Sequence, residues 1–166
     1  IGDCPAVVSP HANQTLYADD LSLWVTSPSW QAGLGALNRE IERLAAWTRR
    51  KRLYLEPDKT YALAIHPDAR KRQAIKSQPL WMDKERGIKI NWVEHAVLLG
   101  VTFSENGNFN EHFKGVISRA NAKIRAMYKF TKYVKGDTLY RVYKVAIEPI
   151  MLYATEALYE TFSEMR

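Results

Sequence analysis

The chain has 166 residues, of which 46% are hydrophobic and 25% are charged, a composition that is typical of a globular protein and excludes wholesale disorder. By length it makes one domain, or one and a half small ones. No apolar run approaches the roughly 18 residues of a membrane span, so we expect no membrane association. Cys4 is the single cysteine, which excludes an internal disulfide and fits an intracellular protein.

The formal net charge of +6 is unevenly distributed along the chain. Between residues 114 and 144 the basic residues outnumber a single acid, Asp137, and two further basic clusters lie at 49–52 and 70–72. Such a distribution predicts a polyanionic partner, with a merely solvated basic face as the alternative.

The first half of the chain mixes predicted strands and helices. Apolar–polar alternation on both sides of Asp19-Asp20 predicts a β-hairpin of two half-buried strands over about 14–26. An amphipathic helix is predicted over 28–51, with Ser27 as its N-cap and Pro28 at its first position. The further predictions are strands at 53–55, 60–65, 81–82, 88–92 and 97–103, a loop or short helix at 68–79, and turns at Gly87 and 105–108.

From Asn110 onward the pattern is helical. A helix is predicted over 110–132, and a last helix over 138–160 with a kink or break at Pro149. Gly136-Asp137 is expected to end the first of these helices and cap the second. The apolar arc of the first helix comprises Phe113, Val116, Ile117, Ala120, Ile124, Met127 and Tyr128. Its basic positions lie off that arc and are Lys114, Arg119, Lys123, Arg125, Lys129 and Lys132.

The hairpin tip carries two adjacent carboxylates, Asp19 and Asp20. Carboxylates crowded at a turn repel each other unless a cation neutralises them. A pair of Mg²⁺ ions would do so, and two-metal clamps are a common means of nucleotidyl transfer. An ordinary solvated turn is the alternative, since Asp is a frequent turn residue.

Four stretches follow one another in a characteristic order along almost the whole chain. They are Leu16-Tyr17-Ala18-Asp19-Asp20, Ala46-Trp47 with Leu53 to Thr60, Leu99-Gly100-Val101, and Tyr140 to Tyr153. In this order and at these spacings they resemble the C-terminal part of non-LTR (LINE-type, jockey-like) retrotransposon reverse transcriptases. The first is like the catalytic motif C hairpin, the second like motif D, the third like the primer grip, and the fourth like the helix that closes the thumb. Each motif alone is short, and their order and spacing make the resemblance specific.

The resemblance implies an α+β fold in two parts. Residues 1–109 would be a partial polymerase palm, made of antiparallel hairpins with a packing helix, and residues 110–166 a helical basic thumb. The implied activity is RNA-directed DNA polymerisation by two-metal nucleotidyl transfer with Mg²⁺ or Mn²⁺. Asp19 would be a metal ligand and Asp20 a weaker ligand or structural acid.

The resemblance also implies roles for the neighbouring residues. Tyr17 would pack beside the primer terminus, where Ala18 leaves room for its backbone. Lys59 would neutralise the triphosphate or donate a proton to pyrophosphate. Leu99-Gly100-Val101 would be the primer grip. The alternative for Tyr17 is an ordinary half-buried aromatic residue of a strand. The alternative for Lys59 is a solvated lysine in a turn.

The partners implied are an RNA template, a DNA primer and deoxynucleoside triphosphates, with a nuclear location. The helix over 110–132 would follow the phosphates of the template–primer duplex, giving salt-dependent and sequence-independent binding.

One part of the family pattern is missing from these 166 residues. The family carries another metal-binding Asp (motif A) and the nucleotide pocket (motif B) well upstream of the hairpin. It also has a fingers subdomain, which holds the template and the incoming nucleotide. Eighteen residues precede Asp19, and Asp3 is the only acid among them. Asp3, squeezed between Gly2 and Cys4-Pro5, is not expected to replace the missing ligand. We therefore expect the parent protein to be a polymerase and this chain alone to be inactive.

Two other interpretations stay open. The first is a non-catalytic nucleic-acid-binding remnant of palm and thumb. The second is a protein-interaction domain with a basic surface.

Overall fold

The computed structural model describes residues 12–155 and Leu158, and its fold is α+β. The described residues form two compact units. The N-terminal unit comprises 12–98 and Ser104–Gly107, and the C-terminal unit comprises Leu99–Phe103, 108–155 and Leu158. The predicted α+β class is confirmed at this level.

The N-terminal unit contains most of the strands. Its elements are β1 (Ala12–Tyr17), β2 (Asp20–Val25), α1 (Trp30–Lys51), a 3-10 turn (Pro57–Lys59), β3 (Tyr61–Leu63), α2 (Ala69–Lys76), β4 (Leu80–Asp83), β5 (Ile88–Val93) and β6 (His95–Leu98). Strands β1 and β2 pair antiparallel, and a separate three-stranded sheet has the order β3-β5-β4.

Helix α1 organises the core of this unit by packing against β2 and β4. Ile41 of α1 forms a buried cluster with Leu80, Met82 and Ile90, and Leu23 of β2 packs against that cluster. Removal of this apolar surface from water is the main stabilising term for the unit. The hairpin and the three-stranded sheet are thus both attached to one helix.

The predicted hairpin and the helix after it are confirmed, but the predicted cap is wrong. Ser29, not Ser27, is the N-cap of α1, and its Oγ accepts a hydrogen bond from the Ala32 amide at 3.5 Å. The Ser27 hydroxyl instead donates to the carbonyl oxygen of Ser29 at 2.9 Å. Pro28 therefore precedes the cap and is not the first helical residue.

The predicted strand at 53–55 is also wrong, because the chain turns sharply at the end of α1. Arg52 adopts a left-handed conformation with φ of 57°, and the amide of Leu53 donates to the carbonyl of Thr48 at 2.9 Å. Leu55 then packs against the core, but residues 53–55 do not pair with a strand.

The strand predicted at 60–65 shortens to β3, and its pairing with β5 is parallel. The palm-like interpretation predicts antiparallel hairpins with a packing helix, and this parallel pair is not one of them. Because α2 and β4 lie between β3 and β5 in the chain, the connection is a crossover, which parallel pairing requires. The sheet is therefore mixed, with β4 antiparallel to β5 on the other side.

The strand predicted at 97–103 is two strands. Leu99 and Gly100, with φ of 47° and 79°, form a turn between β6 and β7 (Val101–Ser104). Positive φ at both central residues is the signature of a type I′ turn.

The C-terminal unit is mostly helical, with α3 (Asn110–Tyr128), α4 (Gly136–Ala146) and α5 (Glu148–Leu152). Helix α3 contacts α4 and α5, and Ile147, between the last two, is completely buried. His112 of α3 is 2% exposed, and its Nδ1 accepts a hydrogen bond from the Thr102 amide at 3.3 Å. Burial lowers the pKa of His112, and the nearby Arg119 charge adds to this.

The predicted break at Pro149 is confirmed, since α4 ends at Ala146 and α5 begins at Glu148. Proline fits the first turn of α5 because amides there lack intrahelical partners anyway. The helix predicted to run to 160 is interrupted after Leu152 by a turn at Tyr153 and Ala154, beyond which Thr155 and Leu158 are helical again. Residues 156, 157, 159 and 160 lie outside the described residues.

The first C-terminal helix is shorter than predicted and ends at Tyr128. After it, the Thr131 hydroxyl donates to the carbonyl of Tyr128 at 2.9 Å, and aromatic and β-branched residues follow, which disfavour a helix. The cap of α4 is Lys135, without a side-chain hydrogen bond, and not Gly136-Asp137.

Candidate functional site

The two carboxylates lie at the tip of the β1–β2 hairpin. Tyr17 pairs with Asp20 across the strands, so Ala18 and Asp19 form a two-residue connection. Residues 15–20 are all exposed, which differs from the predicted half-buried strands. Tyr17 is 64% exposed, so its interpretation as a half-buried strand aromatic is wrong.

Ala18 adopts an unusual backbone conformation at this tip, with φ of 53°. Positive φ at the first central residue is what a primed hairpin turn requires, and glycine normally supplies it. For an L-residue with a Cβ the conformation costs about 1–2 kcal/mol. The hairpin therefore carries backbone strain beside Asp19.

The base of the hairpin is firmly supported by α1. A cavity of about 10 Å³, close to the size of one water molecule, is lined by side chains of both elements, namely Gln14, Leu21, Leu23, Glu40, Arg43 and Leu44. Glu40 is 6% exposed, and its Oε2 lies 2.7 Å from Nη1 of Arg43. Pairing compensates the burial of this charge. A supported base and an exposed tip hold Asp19 and Asp20 open to a ligand.

The two carboxylates at the tip have the oxygen atoms that a hard divalent cation prefers, but they do not by themselves make a complete site. Carboxylate oxygens are the ligands that Mg²⁺ and Mn²⁺ prefer. In residues 12–155 and Leu158, however, no group of three His, Cys, Asp or Glu side chains could hold a metal ion. A metal site that includes Asp19 and Asp20 would therefore need further ligands from outside this part of the chain. Asp3 lies outside the described residues.

Lys59 lies in the same unit, at the end of the 3-10 turn. That turn contacts β5, and Lys59 is exposed. The turn is fastened by the Thr60 hydroxyl, which donates to the carbonyl of Glu56 at 2.8 Å. Among the described residues, no salt bridge joins Lys59 to Asp19 or Asp20, so the structure does not bring these charges into direct contact.

In the C-terminal unit, Leu99-Gly100-Val101 contacts a residue far along the chain. The Tyr153 phenol donates a hydrogen bond to the carbonyl oxygen of Leu99. A Cβ added to Gly100 would lie 3.1 Å from Cε1 of the Tyr153 ring. The primer-grip-like turn and the end of the thumb-like stretch are thus in contact, a relationship that the sequence pattern does not reveal.

The six basic positions of the predicted basic helix are all exposed in the structure. Lys114 pairs with Glu111 at 2.7 Å. Lys129 is the C-cap of α3, and Lys132 lies in the turn after it, so these two do not lie on the helix as predicted. The positions that α3 itself carries are Lys114, Arg119, Lys123 and Arg125.

The sequence pattern also did not single out the exposed aromatic residues that follow α3. Tyr128, assigned to the apolar arc, is 75% exposed, and Phe130 and Tyr133 are exposed as well. Ile117 and Ile124 of the same arc are also exposed. The interleaving of aromatic residues with lysines is the signal by which these residues could have been found.

No protein-family model, no curated protein and no solved structure matches this chain. Within the part of the chain that the structure describes, no helix has both the length and the apolar character that crossing a bilayer requires.

Proposed function

We propose that this chain is a segment of an RNA-directed DNA polymerase, a reverse transcriptase of the non-LTR retrotransposon type. The observation that carries the proposal is the exposed pair Asp19-Asp20 at the strained tip of a hairpin whose base packs on α1. Fixed carboxylates of this kind need little reorganisation to hold a cation.

In the complete enzyme, Asp19 is a metal ligand and Asp20 a weaker ligand or structural acid. Bound Mg²⁺ or Mn²⁺ stabilises the charge that develops on the attacking and leaving oxygens during nucleotidyl transfer. Tyr17 and Ala18 border the primer terminus, and Lys59 offsets charge on the triphosphate. The exposure of Tyr17 and Lys59 supports these roles, because both side chains are open to a ligand.

Residues 1–109 form the partial palm and residues 110–166 the thumb in this proposal, although Leu99–Phe103 belong to the C-terminal unit. Exposed Lys and Arg side chains on α3 bind phosphates of the template–primer duplex and release counterions. Such contacts position a duplex without reading its sequence.

The same basic surface supports a second candidate, a nucleic-acid-binding remnant without chemistry. Phosphate binding by α3 requires neither carboxylate of the hairpin. A metal that binds at Asp19 separates the two candidates, because a remnant has no use for one.

Duplex binding is tested by fluorescence anisotropy with a labelled DNA primer annealed to an RNA template. If the chain makes six phosphate contacts, raising the salt concentration from about 50 to about 200 mM should weaken duplex binding by about a thousandfold. Lys123→Gln and Arg125→Gln should each lower the slope of log K against log salt by about 1. Arg86→Gln, a change at an exposed arginine in the turn between β4 and β5, is the matched control and should leave the slope unchanged. Binding without salt dependence would favour the protein-interaction interpretation instead.

Catalysis is tested by primer extension with this polypeptide, Mg²⁺ and deoxynucleoside triphosphates. We expect no extension, because one carboxylate pair cannot fix both metals. Extension that disappears in Asp19→Asn would overturn that expectation.

A further inference from the structure

The last residue of α3 and the chain between α3 and α4 combine exposed aromatic rings with lysines. Tyr128, Phe130 and Tyr133 are 75%, 58% and 83% exposed, and Lys129, Lys132 and Lys135 alternate with them. We call residues 128–135 the aromatic–lysine segment. Singly exposed aromatics are ordinary, but three within six residues leave a concentrated apolar surface in water.

The charged residues of this segment and of the chain just before it are all positive. Residues 112–136 include seven lysines and arginines and no acid. A binding partner must therefore be anionic, and it must also offer apolar faces to the rings. Lysine is depleted in protein–protein interfaces, which disfavours an ordinary protein partner.

We propose that the aromatic–lysine segment binds unpaired nucleotides of a single-stranded nucleic acid. Bases stack on the exposed rings, and the lysines contact the phosphates between them, the combination by which non-specific single-strand binders work. A duplex cannot use the rings in this way, because its bases are already stacked on each other. The inference goes beyond the proposed function, which concerns duplex phosphates and the hairpin, and it stands or fails independently of the metal site.

The backbone of the segment is already ordered by turns. The amide of Phe130 donates to the carbonyl of Met127, and the amide of Tyr133 donates to the carbonyl of Phe130, both at 2.9 Å. The Thr131 hydroxyl closes a third turn on Tyr128. A binding segment that is ordered beforehand loses less conformational entropy when its ligand binds.

The test measures, by fluorescence anisotropy, how tightly the full chain binds a labelled DNA single strand of about 12 nucleotides and the duplex formed from the same strand. Phe130→Ala and Tyr133→Ala should each weaken single-strand binding by about tenfold and change duplex binding by less than about twofold. Tyr133→Phe keeps the ring and should stay within about twofold of the wild type. Tyr54→Ala, a change at a 74% exposed tyrosine of the N-terminal unit, is the matched control and should have no effect.

Other outcomes overturn the proposal. If the alanine variants bind the single strand as tightly as the wild type, or weaken single strand and duplex equally, the rings do not stack on bases. If the wild type binds vesicles containing phosphatidylserine but no single strand, the segment is a membrane-surface site. Binding to neither probe also rejects the proposal.

Discussion

The phenol of Tyr153 donates a hydrogen bond to the carbonyl oxygen of Leu99, 54 residues earlier in the chain. The ring lies against the next residue, Gly100, whose φ is 79°. A turn with two left-handed residues is thereby fastened to the end of α5 by one side chain. The hydrogen bond requires the hydroxyl of Tyr153, and the close approach of its ring requires a glycine at position 100. Substitution of either residue therefore removes one of the two contacts separately.

Gly100→Ala should lower the free energy of unfolding by about 2 kcal/mol, because alanine adds left-handed backbone strain and a Cβ 3.1 Å from the Tyr153 ring. Tyr153→Phe should cost about 1 kcal/mol, the net contribution of one hydrogen bond. Urea denaturation followed by circular dichroism measures both. Gly115→Ala, a change in α3 with open space around it, is the control and should stabilise by about 1 kcal/mol. Equal effects at residues 100 and 115 would contradict the proposed fit.

Ala18→Gly should stabilise the chain by roughly 0.5–1 kcal/mol. Glycine adopts the φ of 53° at the hairpin tip without steric cost, and this gain exceeds the greater freedom of glycine in the unfolded state. Thermal unfolding should therefore shift to a higher midpoint. The control Ala122→Gly inside α3 should shift the midpoint lower, by about 1 kcal/mol of stability, because glycine weakens a helix interior. A lower midpoint for Ala18→Gly would show that the tip is not strained.

Glu105 is held between two cations of α2. Its Oε2 accepts a hydrogen bond from Lys76, and its Oε1 lies 3.1 Å from Nε of Arg72. The pKa of Glu105 is lowered from its ordinary value of 4.5, mainly by the hydrogen bond from Lys76. The positive charges of Lys76 and Arg72 lower it further. A carboxylate with a depressed pKa contributes stability that is complete above pH 4.5 and is lost as the pH falls through the folded-state pKa.

Glu105→Gln should therefore lower stability near neutral pH by about 1–3 kcal/mol and should flatten the acid limb of the stability curve. Urea midpoints measured from about pH 7 down to about pH 3 test this, since the two proteins should converge as the wild-type carboxylate is protonated. Glu148→Gln removes a more exposed pair with Lys144 and should lower stability much less, because solvent screens that pair. Parallel pH curves for wild type and Glu105→Gln would contradict the role of this cluster.

Local sequence signals predicted the elements whose cause is local. The alternation around Asp19-Asp20 predicted the hairpin, and Pro149 predicted the helix break. The parallel pairing of β3 with β5 depends on contacts between segments far apart in the chain, which periodicity does not report. Leu53 to Leu55 has the composition of a strand but pairs with none of the strands in the described part of the chain.

The candidate site was predictable only in its residue types. The sequence identified Asp19 and Asp20, but not the left-handed Ala18 between the strands, because alanine carries no turn signal. It also assigned Tyr128 to an apolar arc, where the structure leaves the ring exposed. A periodic pattern shows which face a residue occupies, and not whether another element covers that face.

The most direct test of the proposed function is whether the hairpin binds a divalent cation. Mn²⁺ titrated into the ¹⁵N-labelled chain should broaden the amide resonances of residues 17–21 first and saturably, with an affinity of about 10⁻⁴–10⁻³ M. Asp19→Asn should abolish this broadening, whereas Asp137→Asn, at an exposed acid in the first turn of α4, should leave it unchanged. Broadening that is absent from the hairpin, or that is the same in Asp19→Asn, would contradict a metal site at this tip.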